Sequence, residues 1–238
     1  MDTGDAHFDR IYSTRARDYH ELVRREDRDG NLPRALQETV DFRGKTVIEL
    51  GAGTGRVTRI LARLAGRVLA FDRSPHMLEQ ARANLADEIR GNVRLAEADN
   101  RAIPLPDSSA EILVEGWSFG HSVSKEDEDW RKAGEEVLAE ARRVVTPGGA
   151  LILIETLGTG CRTPHAPGPR LPLFFSWLQD ECGFAMKWIR TDYLFESLKK
   201  AQELVEFFFG QMVEHEVLAT GEVVVPECTG IWWNNKSA

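Results

Sequence analysis

The sequence predicts an α/β protein built on a mostly parallel, doubly wound sheet. Three observations point there. Short apolar segments rich in β-branched residues alternate with stretches whose apolar residues recur at helical spacing, the pattern of βαβ units. The first of these segments runs straight into a glycine-rich turn. A later one, Ala150 to Glu155, is apolar almost without interruption, as a strand covered on both faces must be.

The first unit is Lys45 to Leu50, a short strand, followed by Gly51-Ala52-Gly53-Thr54-Gly55 and a helix beginning near Val57. Glycine is needed where the chain turns sharply or where backbone must lie against a ligand. A helix starting at such a turn aims its free N–H groups into the same space. The dinucleotide fingerprint Gly-x-Gly-x-x-Gly requires a third glycine at position 56, which is Arg. This weighs against an NAD-dependent oxidoreductase. With the acidic Glu49 just before the glycines, the string hh-E-x-G-x-G-x-G resembles the first motif of class I S-adenosylmethionine-dependent methyltransferases.

Later motifs occur in that family's order. Gly66 to Asp72 reads as a second strand ending in an acid 21 positions after Gly51. That is the offset at which a carboxylate meets a ribose diol in nucleotide-binding folds. Ser74-Pro75 supplies an N-cap and first helical residue. Asp72-Arg73-Ser74 through Met77 to Ala81 resembles the second motif. Val93 to Asp99 reads as a third strand, and Ala98-Asp99-Asn100 resembles the adenine-side third motif. Ala110 to Glu115 is a fourth strand running into the expected loop Gly116-Trp117-Ser118-Phe119-Gly120-His121-Ser122. Arg143 to Ile154, with Pro147-Gly148-Gly149, resembles the family's element before strand five.

The resemblance covers about half the chain, from Thr46 to Glu155. It implies a seven-stranded class I methyltransferase sheet whose last strand is antiparallel, with S-adenosylmethionine as cofactor and S-adenosylhomocysteine as product. Glu49, Gly51, Ala52, Gly53 and Gly55 would face the amino acid end of the cofactor. Asp72 and Arg73 would lie at the ribose, and Met77, Ala98, Asp99 and Asn100 at the adenine. Glu115 and Gly116 would pass the sulfonium side. An Ala-x-x-Tyr near the start is common in small members, and Tyr19 of Ala16-Arg17-Asp18-Tyr19 is the matching residue. His121 is the one candidate general base, since an imidazole titrates near pH 6.5 when unperturbed.

The flanks complete a single expected domain. Residues 1–44 read as a helical cap over residues 45–157, with helical pieces at His7–Tyr12, Ala16–Val23 and Pro33–Val40. Residues 158–183 combine a Pro/Gly-rich stretch with an aromatic helical piece, Leu173–Leu178, and are expected on the acceptor side. Lys125–Arg143 is expected as a crossover helix and Thr146–Gly149 as a turn. Residues 184–238 contribute a strand at Ala185–Arg190, a helix around Leu198–Phe208, and two strands, Gly221–Pro226 and Thr229–Trp233, expected to pair and close the sheet.

Composition narrows the partners. The chain has 238 residues, 42% hydrophobic and 29% charged, with a net charge of −8. An acidic balance without a run of Lys and Arg argues against a nucleic-acid surface. No segment approaches the length of a membrane span. Three scattered cysteines and the polar start Met1-Asp2-Thr3-Gly4-Asp5 are expected of a cytoplasmic protein with reduced thiols. No metal set is expected. A small-molecule acceptor is the expected partner, oligomeric state is open, and a non-catalytic S-adenosylmethionine sensor is the main alternative.

Overall fold

The computed structural model describes residues 5–86, 91–124 and 129–235. Three helices open the chain: α1 (Asp5–Thr14), α2 (Ala16–Val23) and α3 (Asn31–Thr39). The sheet then begins with β1 (Thr46–Leu50), α4 (Arg56–Leu64), β2 (Arg67–Asp72), α5 (Pro75–Leu85), β3 (Val93–Glu97) and β4 (Ala110–Gly116). It continues through α6 (Phe119–Ser124), α7 (Trp130–Val144), β5 (Val145–Thr159), α8 (Arg170–Asp180) and β6 (Ala185–Arg190). The last elements are β7 (Tyr193–Phe195), α9 (Leu198–Phe209), β8 (Glu216–Val217), β9 (Val223–Val225) and β10 (Glu227–Asn235).

Seven strands form the main sheet in the order β3-β2-β1-β4-β5-β10-β6. Strands β1 to β5 are mutually parallel, and β10 runs antiparallel between β5 and β6. The order reverses between β1 and β4, which opens a crevice at their carboxyl ends. One face of the sheet packs Ile48, Leu50, Leu113, Leu151 and Leu153 against α6, α7 and α8. The other packs Val47, Val68, Ile112, Ile152 and Ile231 against α3 and α4. Adjacent Trp232 and Trp233 divide between these faces, as alternation along a strand requires. Trp232 is fully buried and stacks on Phe175 with ring centroids 4.3 Å apart.

Several expected elements differ in detail. Helix α3 starts at Asn31 rather than Pro33, because the Asp27 carboxylate accepts hydrogen bonds from the N–H groups of Asn31 and Leu32 at 2.7 and 2.9 Å. The expected loop after β4 folds its second half into α6. The crossover helix α7 is capped by Asp129, and Lys125 to Glu128 lie outside the described residues. Thr146 to Gly149 form no separate turn but an irregularity within β5, where pairing jumps from Ala110–Val145 to Ile112–Ala150. A Cβ on Gly149 would stand 2.6 Å from the Glu111 carbonyl oxygen.

The largest difference concerns the expected closing pair. Only β10 enters the main sheet. Strand β9 joins β7 and β8 in a separate three-stranded sheet. Pro226 separates β9 from β10, and its carbonyl accepts from Gly160 N at 2.7 Å. Val223 and Val225 then bury against Ala201, Leu204 and Val205 of α9, together with Leu22 of α2. The aromatic residues of residues 158–183 are also placed otherwise than expected. Phe174, Phe175, Trp177 and Leu178 of α8 belong to the core beside α7, and none of residues 158–183 lines the cleft described next.

Candidate active site

The site is built at the carboxyl ends of β1, β2 and β4. Leaving β1, the chain turns through Gly51 and Gly53, both in the left-handed region at φ +73° and +54°. A Cβ on Gly51 would lie 2.5 Å from Ser118 Cβ. On Gly53 it would meet nothing nearer than Met77 Cε at 3.7 Å, so the space over Gly53 belongs to the cleft. Gly55 is different: its missing Cβ admits Leu85 of α5, which would otherwise be 2.8 Å away.

Asp72 ends β2 and organises both sides of the crevice. One carboxylate oxygen accepts from Gly53 N at 2.7 Å and the other from Ser74 N at 2.8 Å. Burial pushes its acidity down, raising its pKa against those two donors. Ser74 caps α5 by accepting from Met77 N, and its hydroxyl donates to the Tyr12 carbonyl at 2.7 Å. Across the crevice Asp99 holds the turn after β3 by accepting from Arg101 N at 2.8 Å. The Asn100 amide donates to Ser118 Oγ at 3.1 Å, which in turn donates to Glu115 at 2.9 Å.

Two buried carboxyl groups lie below that floor. Glu115 accepts from the N–H groups of Ser118 and Phe119, and Glu155 accepts from Gly120 N at 2.6 Å. Burial raises Glu115 to about 7, and burial with the neighbouring Glu115 charge raises Glu155 well above the carboxylate range. Together they hold the start of α6. Glu49 is fully buried in β1, its two oxygens make no hydrogen bond of ordinary geometry, and burial raises it to about 8.

The opposite wall comes from the N-terminal helices. Phe8 and Tyr12 lie one helical turn apart on α1 and so share a face. Both reach His121 on α6, with ring centroids 5.3 and 5.5 Å away, and Tyr12 Oη lies 2.9 Å from His121 Nε2. Tyr19 of α2 packs edge-on to Tyr12 at 5.5 Å and against Phe208 of α9 at 5.4 Å. Burial holds the Tyr19 phenol up at about 12 and that of Tyr12 well above its ordinary value, so both are neutral donors. An Arg73–Asp9 ion pair fastens α1 to the far side.

Of the predicted residues, Tyr19, Gly51, Gly53, Asp72, Arg73, Met77, Asp99, Asn100, Gly116 and His121 line one cleft. Glu49, Ala52, Gly55, Ala98 and Glu115 are not on its surface. Gly55 packs a helix, Glu115 holds α6, and Ala52 N ties the turn to the Phe71 carbonyl at 2.9 Å. Phe8, Asp9, Tyr12, Ser74, Arg101, Trp117, Ser118 and Ser122 complete the lining. Phe8 and Tyr12 carried a faint signal in their spacing on an amphipathic helix; nothing local in sequence said which cleft that helix covers. Among the described residues no cluster of three or more His, Cys, Asp or Glu side chains could hold a metal ion. No helix among them is long and apolar enough to cross a membrane.

A glycine turn after β1, acids ending β2 and following β3, and a crevice at the sheet's switch point are the features of the class I methyltransferase fold. Comparison with known proteins agrees. Residues 48–153 match the methyltransferase domain family. Over 117 residues the chain is 32% identical to the ubiquinone/menaquinone biosynthesis C-methyltransferase UbiE of Azotobacter vinelandii, covering 48% of this chain and 43% of that protein. The match thus spans less than half the length of the relative. The structure of DhpI in complex with SAH superimposes with a TM-score of 0.59 at 20% identity, covering 95% of this chain and 94% of that one. A SAM-dependent methyltransferase from Aquifex aeolicus gives 0.53 at 18% identity, covering 87% and 93%. Likeness at these identities is likeness of fold.

Proposed function

We propose that this protein transfers the methyl group of S-adenosylmethionine to a small-molecule acceptor bound beneath the α1–α2 cap. The observation that carries the proposal is the convergence of Gly51, Gly53, Asp72, Met77, Asp99 and Asn100 on one cleft whose other wall is aromatic. The residues suit the cofactor. The bare backbone at Gly53 leaves room for it. Asp72, with lone pairs beyond those used by Gly53 and Ser74, can accept from the ribose diol. Asp99 can accept from the adenine amine. Glu49, buried in β1 and off the cleft surface, is a neutral carboxyl that an approaching cofactor ammonium would ionise and pair with.

The bound cofactor supplies an electrophilic methyl on a sulfonium, and displacement from it is in line. The chain's task is therefore alignment and exclusion of water. Phe8, Tyr12 and Tyr19 cover the cleft, and Trp117 walls it beside Gly116. His121, which lines the cleft with Nε2 2.9 Å from Tyr12 Oη, is the candidate base for an acceptor's proton. The net charge of −8 favours a small acceptor over a nucleic acid. The UbiE relative is a C-methyltransferase, so carbon acceptors belong beside oxygen and nitrogen ones in a screen.

Calorimetric titration with S-adenosylmethionine, S-adenosylhomocysteine and NAD tests the cofactor, with binding of the first two alone expected. Transfer of a labelled methyl group to a screened acceptor tests the activity. Cofactor binding without transfer to any acceptor would favour a sensor, and binding of NAD alone would overturn the proposal.

A further inference from the structure

Position 56, where a dinucleotide-binding turn needs glycine, holds an arginine beside the site. Arg56 is the first residue of α4, directly after the glycine turn. Its guanidinium lies over the Trp117 ring, 3.7 Å from the centroid, and pairs with Glu26 just beyond α2. The Glu26 side chain is 3% exposed, and its second oxygen accepts from Thr191 Oγ1 at 3.2 Å. One cation thus touches the segment that follows the cap and the wall of the cleft.

Both partners adjoin unusual backbone. Among the described residues, three that are not glycine have positive φ: Asp27 at 61°, Ser108 at 57° and Trp117 at 52°. Asp27 follows Glu26 directly, and Trp117 is itself the stacked residue. A bulky side chain in the left-handed region persists only where its surroundings fix it. Trp117 N donates to the Ile154 carbonyl at 2.8 Å, which fixes the backbone. The flat guanidinium over its face fixes the ring, and Trp117 lines the cleft next to Gly116.

We propose that Arg56 is a positioning residue that sets the Trp117 ring as a wall of the cleft and ties that setting to the cap through Glu26. Arg56 is not on the cleft surface, so it acts through Trp117. A lysine would keep the charge but not the planar stack. The inference rests on the cofactor reading above, and the experiment separates the two.

S-adenosylhomocysteine titration and thermal melting of wild type, R56K, W117L, W117F and the R56K/W117L double variant make the test. R56K should weaken binding about 3- to 30-fold, the range of a desolvated cation–π contact. W117L should weaken it similarly and W117F less, because phenylalanine still offers a face. The double variant should be no weaker than the worse single one, since both changes remove one contact. Glu26→Gln should weaken binding too, with protection of α2 amides from hydrogen exchange falling in parallel. Wild-type affinity in R56K would overturn the inference, as would additive losses in the double variant, which would mean that Arg56 meets the ligand directly. If R56K does not fold, equal affinity of W117F and W117L overturns it instead. Failure of the wild type to bind at all would remove the cofactor reading, and this inference with it.

Discussion

The two walls of the cleft are made differently. The strand-end wall is backbone: left-handed glycines, N–H groups satisfied by Asp72, and a turn held by Asp99. The cap wall is side chain: Phe8, Tyr12, Tyr19 and His121, backed by Phe208, lean on one another at centroid distances of 5.2 to 5.5 Å. The first wall has few ways to vary and suits a ligand that never changes. The second can be recut residue by residue without touching the sheet. That division would serve a constant cofactor on one side and the proposed acceptor on the other.

The strongest way to break this contrast is at the glycines. Gly51→Ala should destabilise the fold by about 2–4 kcal/mol, because overpacking against Ser118 adds to a left-handed alanine. Gly53→Ala meets open space and should cost only about 1–2 kcal/mol of stability, yet lose much more in cofactor affinity. Urea unfolding beside titration separates the two; equal stability losses would show that the wall is not shaped as described. Asp72→Ala comes next, with about 1–3 kcal/mol expected from cofactor affinity, the range for stranding polar partners. Wild-type affinity there would take Asp72 out of the site.

A pH series sharpens the contrast from below the floor. Glu49 is raised to about 8 and Glu115 to about 7, both by burial, so the folded protein keeps them protonated when the unfolded chain does not. Their stabilising contribution is complete below the unfolded value near 4.3 and is lost as pH rises through the folded values. The slope is at most about 1.4 kcal/mol per pH unit for each group. The urea midpoint should fall between pH 5 and 8, and Glu49→Gln should flatten that fall. A profile unaffected by the substitution would place the Glu49 charge elsewhere. The smallest effect belongs to the cap. Tyr12→Phe should loosen α1 by about 0.5–1.5 kcal/mol, the worth of one hydrogen bond, read as faster amide exchange in α1 than in β1.

The same contrast explains what could be read from the chain alone. Gly51, Gly53, Asp72 and Asp99 were legible because each sits at a fixed distance from a strand end, and a strand end has only one place to go. His121 was legible as a group near β4, but not its tie to Tyr12, which is 109 positions away. Gly55 fits the motif and serves packing instead, since a glycine required by a helix neighbour is spelled like one required by a ligand. Val223–Val225 read correctly as a strand and was given the wrong partner. Three residues carry no information about which edge they will meet, and Pro226 detached them from β10.

The place of β10 also sets the order in which the molecule can be finished during its own synthesis. Strand β6 leaves the ribosome some forty residues earlier, yet its sheet neighbour is β10 and not β5. Until the chain has been made through Asn235, β5 has a bare edge and β6 has nothing to join. The β1–β4 half can assemble early from neighbouring segments, while β6 waits for β10 to slide into the gap. A nascent chain halted before Glu227 would therefore be a nucleotide fold with an open flank, in need of shelter until translation resumes.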